Sequence, residues 1–399
     1  MRTVYMDHAA ATPLAPDVVS AMTPYFADHF GNPQSVHEIG NRSARAVEAA
    51  REKTAALLHA PPEGVLFTAS GSEANNLAIK GIALAQRKRG DHLVVSAIEH
   101  ASILHATRSL RKIGFTVTEV PVDGRGFVDP DAVRAALTPR TLLVSVMHAN
   151  TEIGTIQPVA DIAACAKEAG VPFHTDAWAS TGNVPVDVEA IGADAVSIGG
   201  QGFGGPQGTG ALWMRKGLRL QPLIDGGIQE SGRRAGTENV AALAGLGKAA
   251  ETAARTLDAR ARSVTAIRDH LIRRLTTEID GVVLTGCPPE VPGGRLPGHV
   301  SVCVEGVEGE ALLLLLAQEG IYASSGSACT SRALKASHVL LAIGLDDALA
   351  QGSLVFTMNE TTTREDADAV VDALTRVAER LRAMSPVYRK PSDDASGAT

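Results

Sequence analysis

Four places in this chain, one of them a pair of strand ends, concentrate residues able to do chemistry. Cys329 lies in Ser324-Ser-Gly-Ser-Ala-Cys329-Thr-Ser331. Its small, polar neighbours should leave the thiol accessible, and a thiolate there is a nucleophile. In Thr68-Ala-Ser-Gly-Ser72, an apolar strand end runs through a Gly/Ser turn into a helical pattern that begins near Ser72. Backbone N–H groups and hydroxyls at such a start suit a phosphate, and a serine there is equally an ordinary N-cap. His100 stands just past a strand end in Ile98-Glu-His100, and Asp176 closes the apolar run Phe173-His-Thr-Asp176. An aspartate in that place is unusual for a plain surface residue, whereas a lone histidine is more often structural. The fourth stretch, Ser197 to Leu212, packs seven glycines and one proline between positions 199 and 210. A backbone without Cβ atoms can approach a ligand closely, or simply turn tightly between two strands.

The elements around these stretches must hold them together. Apolar runs at 64–68, 92–96, 115–120, 141–147, 171–174 and 193–198 alternate with amphipathic helical patterns as far as about residue 215. Near-continuous apolar strands separated by helices predict a mainly parallel sheet covered on both faces. Ligands of such sheets collect at the C-terminal strand ends, where the motifs fall. Beyond Gly236 the pattern predicts helices over 239–254 and 259–278. A smaller α+β part follows, with strands near Val282 and Val300 and helices over 309–319 and 364–384. The expected division is an N-terminal segment, 1–15, belonging to the small domain, a large α/β domain over 16–255, and the small domain over 256–384. The polar tail 385–399 reads as disordered.

Composition bounds the function classes. The 399 residues are 45% hydrophobic and 20% charged, ordinary for a globular enzyme of two parts. A net charge of −7 without a basic stripe argues against nucleic acid. The N-terminus carries neither a signal-peptide pattern nor an amphipathic presequence, and no apolar run could span a bilayer, so a cytoplasmic location without membrane contact is expected. The four cysteines, Cys165, Cys287, Cys303 and Cys329, have no CxxC spacing, which fits reduced thiols better than a zinc site or a disulfide framework. Cys165 and Cys303 read as core residues.

The motifs, taken in order, resemble the cysteine desulfurases, the NifS/IscS group of fold-type-I pyridoxal-phosphate enzymes. Asp7-His-Ala-Ala-Ala-Thr-Pro13 and Gly31-Asn-Pro-Gln-Ser-Val-His37 are similar to the family's opening segments, and the likeness runs over about residues 3–384. It implies a fold-type-I α/β architecture: a large domain with a mainly parallel seven-stranded sheet, plus a smaller α+β C-terminal domain. It also implies pyridoxal phosphate as cofactor. Gly71 and Ser72 would hold the phosphate, His100 would stack on the ring, and Asp176 would keep the ring nitrogen protonated. Thr237, in Arg233-Arg-Ala-Gly-Thr237, would reach the phosphate of the neighbouring subunit in a homodimer. The Cys329 loop matches over eight positions, and Cys329 would store sulfur as a persulfide. The short segment before Ser337-His338-Val339-Leu340 resembles the subgroup that passes sulfur to scaffold proteins for iron–sulfur assembly.

One pocket departs from the pattern. In the family's Ser-x-His-Lys-x-x-Gly-Pro-Lys-Gly-x-Gly the lysine holds the cofactor as an imine. Aligned on Gly205-Pro206, that lysine falls on Gly202, the histidine on Gln201 and the serine on Gly199. The family's second asparagine in Asn-Asn-Glu-Ile-Gly is Thr151, its glutamine in Asp-Ala-x-Gln-Ser is Ala179, and the arginine that clamps the substrate carboxylate is Val355. An aliphatic side chain cannot replace a bidentate clamp. Three expectations follow. The chain handles sulfur at Cys329, as a persulfide or as a ligand to an Fe–S cluster, with cysteine desulfuration lost. Or it remains a pyridoxal-phosphate enzyme with a rearranged site, using another amine such as Lys216, or His100 as base. Or it is the non-catalytic partner of an active paralogue.

Overall fold

Seven strands build the sheet that carries the Gly-rich turn. In chain order they are β1 (Val65–Thr68), β2 (His92–Ser96), β3 (Thr116–Val120), β4 (Thr141–Ser145), β5 (Phe173–Asp176), β6 (Ala195–Gly199) and β7 (Gly210–Met214). Their spatial order is β1-β7-β6-β5-β4-β2-β3, and only β7 runs antiparallel to its neighbours. The computed structural model describes residues 2–326 and 336–384. Cys329 and the tail 385–399 lie outside the described residues.

Strand alternation explains why the runs are apolar throughout. Val65 and Phe67 of β1, Val94 of β2, Val196 and Ile198 of β6 and Trp213 of β7 join one buried cluster. Leu66, Leu93, Val95, Ala195, Leu212 and Met214, one position out of phase, join another. Both sheet faces are therefore packed, as the sequence predicts.

The chain divides into two units. The larger comprises Ala9–Thr151 and Thr155–Ala261; the smaller comprises the described parts of Met1–His8, Glu152–Gly154 and Arg262–Thr399. Within the smaller unit, Ser353–Thr357, His299–Val304 and Val282–Leu284 form a three-stranded antiparallel sheet, and Val4–Tyr5 pairs in parallel with Ile321–Tyr322. Its core gathers Val300, Val302, Leu312, Leu354, Phe356 and Leu374, with helices Gly309–Gln318 and Arg364–Met384. One expectation is corrected. Instead of two helices over 239–254 and 259–278 there is a single 39-residue helix, Val240–Glu278. The intervening Arg255-Thr-Leu-Asp258 contains no Gly or Pro to end it. No described helix is long and apolar enough to cross a membrane.

Candidate active site

The site is assembled at strand ends within the larger unit. Thr68 pairs with Gly210, and Gly210 with Gly199, so the ends of β1, β7 and β6 lie side by side. Asp176 ends β5 opposite Ser197. After β1 the chain turns into a helix, Gly71–Asn76, that runs on through a π-helical turn, Leu77–Gly81, into Ile82–Ala85. Its N-cap is Ser70, whose hydroxyl accepts from Glu73 N–H at 3.1 Å. The helix starts one residue before the expected Ser72: Gly71 is the first helical residue, and Ser72 is exposed in the first turn. Gly210 has to be a glycine, because a Cβ there would lie 2.5 Å from the Ser70 carbonyl carbon.

Asp176 is buried and held by the protein on both oxygens. Asn75 Nδ2 donates to Oδ2 at 2.6 Å and the Trp178 backbone N–H to Oδ1 at 2.9 Å. Burial raises its pKa above the ordinary value, opposed by those two donors and by the charge of His100. Asn75 Nδ2 also lies 2.9 Å from Ser102 Oγ. The Ser102 hydroxyl is 2.7 Å from His100 Nδ1, which accepts from Ser102 N–H at 3.2 Å and caps the helix Ala101–Arg111. His100 and Asp176 thus belong to one network through Asn75 and Ser102. Behind it, Glu99 accepts from Ser96 Oγ at 2.6 Å and Met147 N–H at 2.8 Å; burial pushes its carboxyl up to about 8.

The Gly-rich turn is a 3₁₀ segment, Gly200–Phe203, followed by left-handed Gly204 at φ +83°. Gln201 reaches the Ala10 carbonyl at 3.2 Å. The decisive neighbour is Trp178, a half-buried side chain that sequence reasoning passed over. A Cβ on Gly199 would lie 2.3 Å from both Cδ1 and Nε1 of its indole, and a Cβ on Gly71 2.8 Å from Cδ1. A Cβ on Gly202 would lie 2.7 Å from the Trp178 carbonyl oxygen. The signal was available: one large aromatic between Asp176 and Ala179, amid positions where the resemblance expects larger residues than the glycines present.

The remaining positions fall as follows. Ala179 is buried, and its carbonyl accepts from Asn183 at 3.0 Å. Thr151 lies in the turn beyond β4, after Asn150, whose amide is committed to the Ile98 carbonyl at 3.0 Å. Thr237 is exposed in a loop after Arg234, which grips Glu73 at 2.8 and 3.3 Å. Lys216, the suggested substitute amine, lies beyond the other end of β7. It follows Met214, which pairs with Ala195 at the far end of β6, four residues or ~13 Å of strand from Gly199.

In the smaller unit, Val355 is buried in its sheet and exchanges backbone hydrogen bonds with Ser324 at 3.1 and 2.7 Å. Ser324 precedes the Cys329 segment, and Ser337 follows it. The Ser337 hydroxyl caps the helix His338–Ala342 and donates to Glu152, whose carboxyl burial pushes up to about 7. Cys165, Cys287 and Cys303 are buried, and burial raises the Cys303 thiol to about 12. No group of three metal-binding side chains occurs among the described residues.

These residues fit pyridoxal phosphate only in part. Asp176 and His100 lie at strand ends, joined through Asn75 and Ser102, where the resemblance would have them meet the ring. The phosphate end does not fit, because the indole lies against the helix start and the end of β6, and position 202 has no amine.

The comparisons agree on the chain's relatives. A family model described as aminotransferase class-V matches residues 4–370. The cysteine desulfurase IscS of Dictyoglomus turgidum is 46% identical over 385 residues, 96% of this chain and 97% of that protein. The one from Methanosarcina thermophila is 46% identical over 389 residues, 98% and 95% of the two chains. A solved structure of a NifS-like protein shares the fold with a TM-score of 0.88 at 32% identity, covering 95% of this chain and 100% of its own.

Proposed function

Since the chain belongs to the class-V aminotransferase family, in its IscS/NifS-like cysteine desulfurase branch, we propose that it is a sulfur-transfer protein in which Cys329 carries a persulfide and cysteine desulfuration has been given up. Membership implies pyridoxal phosphate as the family's cofactor. The observation that carries the proposal is Gly202: a desulfurase needs an amine there to form the imine and to serve the Cα proton, and general acid–base help alone is worth roughly 10²–10⁴ in rate. Val355 removes the carboxylate clamp, which weakens positioning as well.

Sulfur relay needs none of that machinery. The Cys329 thiolate attacks the terminal sulfur of a persulfide, R–S–S⁻ in its protonated form R–S–SH. The new S–S bond forms at Cys329 as the old one breaks, and R–S⁻ leaves and takes up the proton. No net oxidation occurs. The same exchange in reverse passes the sulfur to an acceptor thiol, on a scaffold for iron–sulfur assembly. The buried state of the other three cysteines supports Cys329 as the carrier. In this reading the chain works as a homodimer with Thr237 exposed toward its neighbour.

The experiment is alanine release from L-cysteine with excess pyridoxal phosphate, run beside sulfur uptake from a small persulfide donor, with Cys329→Ala as control. No alanine together with one added sulfur on Cys329 is the expected result. Alanine above the control would return the chain to the active desulfurases.

A further inference from the structure

As far as binding goes, a glycine at 202 removes the covalent tether to a cofactor, whatever it removes from catalysis. A site with its aspartate, histidine and helix start intact could still hold a phosphorylated pyridine reversibly, with the phosphate supplying much of the grip. Whether it does is decided by Trp178, not by Gly202.

Two contacts of the indole, and the closeness of the two glycines it meets, place this residue in the cradle. The pyrrole edge of the indole, Cδ1 and Nε1, lies so close over Gly199 that any side chain at 199 would overlap it. The same edge rests on Gly71, the first helical residue, with Cδ1 2.8 Å from where a Cβ would stand. Gly199 and Gly71 are themselves in contact: a Cβ on Gly199 would be 3.5 Å from the Gly71 nitrogen. The indole therefore covers the corner between a strand end and the helix's first N–H, where the phosphate of a bound cofactor would have to be received. The ring-nitrogen partner is also engaged from within, since the backbone N–H of Trp178 donates to Asp176 Oδ1 at 2.9 Å. One residue covers the phosphate corner with its ring and takes one of the acceptor sites of the carboxylate with its backbone.

We propose that Trp178 is the internal occupant of the cofactor cradle, and that the cofactor-free chain is the working form of this protein. This goes beyond the sulfur-relay reading, which concerns Cys329 and would stand or fall without it.

The test is calorimetric titration of the full chain with pyridoxine 5′-phosphate, which lacks the aldehyde and so forms no imines with surface lysines. Wild type should show no saturable binding tighter than ~1 mM. Trp178→Ala should bind at least ~10-fold more tightly than wild type, and pyridoxine without the phosphate should show no such gain. Micromolar binding by wild type overturns the proposal, as does a folded Trp178→Ala protein that gains nothing. A second arm leaves the indole in place. Gly199→Ser should lower the Tm of the otherwise unaltered chain by roughly 1–4 °C, the penalty of forcing atoms into filled space. An unchanged Tm would mean that the corner is empty, and the proposal would be wrong. Sulfur uptake at Cys329 is read separately in each variant, so failure of the relay and failure of the occupied cradle remain distinct.

Discussion

Asn75 holds Asp176 through a 2.6 Å hydrogen bond from Nδ2 to Oδ2, and the same amide reaches Ser102, which in turn contacts His100. The aspartate is buried and has no arginine or lysine among its hydrogen-bond partners, so these neutral donors carry much of its solvation. Asn75→Ala should therefore cost about 1.5–3 kcal/mol, the range for a hydrogen bond to a charged group. Denaturant unfolding measures it, and a cost below ~0.5 kcal/mol would mean that Asp176 is neutral or otherwise satisfied.

A second pair locks the loop that precedes the long helix. Arg51 donates to both oxygens of Glu230 at 2.8 and 2.9 Å, and Phe67 N–H donates to the same carboxylate at 3.0 Å. Glu230 and Ser231 hold left-handed backbone at φ +48° and +57°, a conformation that the buried pair must maintain. Glu230→Ala leaves Arg51 with only the exposed Glu48 at 3.2 Å and the Val65 carbonyl at 2.8 Å, and leaves Phe67 N–H without this acceptor, so it should destabilise by about 2–4 kcal/mol. The measurement is again the unfolding free energy, and a loss under ~1 kcal/mol would mark the pair as surface-like.

Stability should fall as pH rises from 6.5 to 8. Burial raises Glu99 to about 8 and Glu152 to about 7, above the 4.5 of an unfolded glutamate. The folded chain keeps these protons where the unfolded chain has lost them, so each added pH unit favours unfolding until the folded pKa is passed. His148 and His174, lowered by burial to about 4 and about 3, act in the opposite sense, and their effect lies below 6.5. A Tm series over pH 6.5–8 should slope downward for wild type and less steeply for Glu99→Gln. Equal slopes would remove Glu99 from the account.

Thiol labelling of the native chain should mark Cys329 alone. Cys165, Cys287 and Cys303 are buried, and Cys303 is raised to about 12. Alkylation at pH 8 followed by peptide mass analysis checks this, and labelling of a second cysteine would weaken Cys329 as the sole carrier.

Much of the fold could be read from the chain, and the reasons are local. β1, β2 and β4 are buried on both faces, so apart from His92 their residues are apolar or small and the runs stand out. β3 was also found, although its alternation is weaker and three of its five residues are exposed. The helix Val240–Glu278 reads as two because Thr256 and Asp258 are residues that can cap a helix; without Gly or Pro between 255 and 258 the helix runs through, and the Thr256 hydroxyl donates to the Thr252 carbonyl. The vacated positions 199, 202 and 179 were legible as absences against a motif. What filled them was not, because Trp178 meets Gly199 and Gly71 only after β6 and the helix start at Gly71 come together. Periodicity carries no information about contacts between residues a hundred positions apart.

The packing around Trp178 also constrains the order in which this chain could change. A serine at 199 meets the indole and a side chain at 202 meets the carbonyl of the same residue. Neither family residue can return first without strain, and neither alone confers anything that would offset it. Replacing the indole would make room at 199 but would leave the backbone carbonyl against position 202 where it is. The two positions are therefore closed by different parts of one residue, and a side chain at 202 needs the backbone at 178 to shift whatever residue stands there.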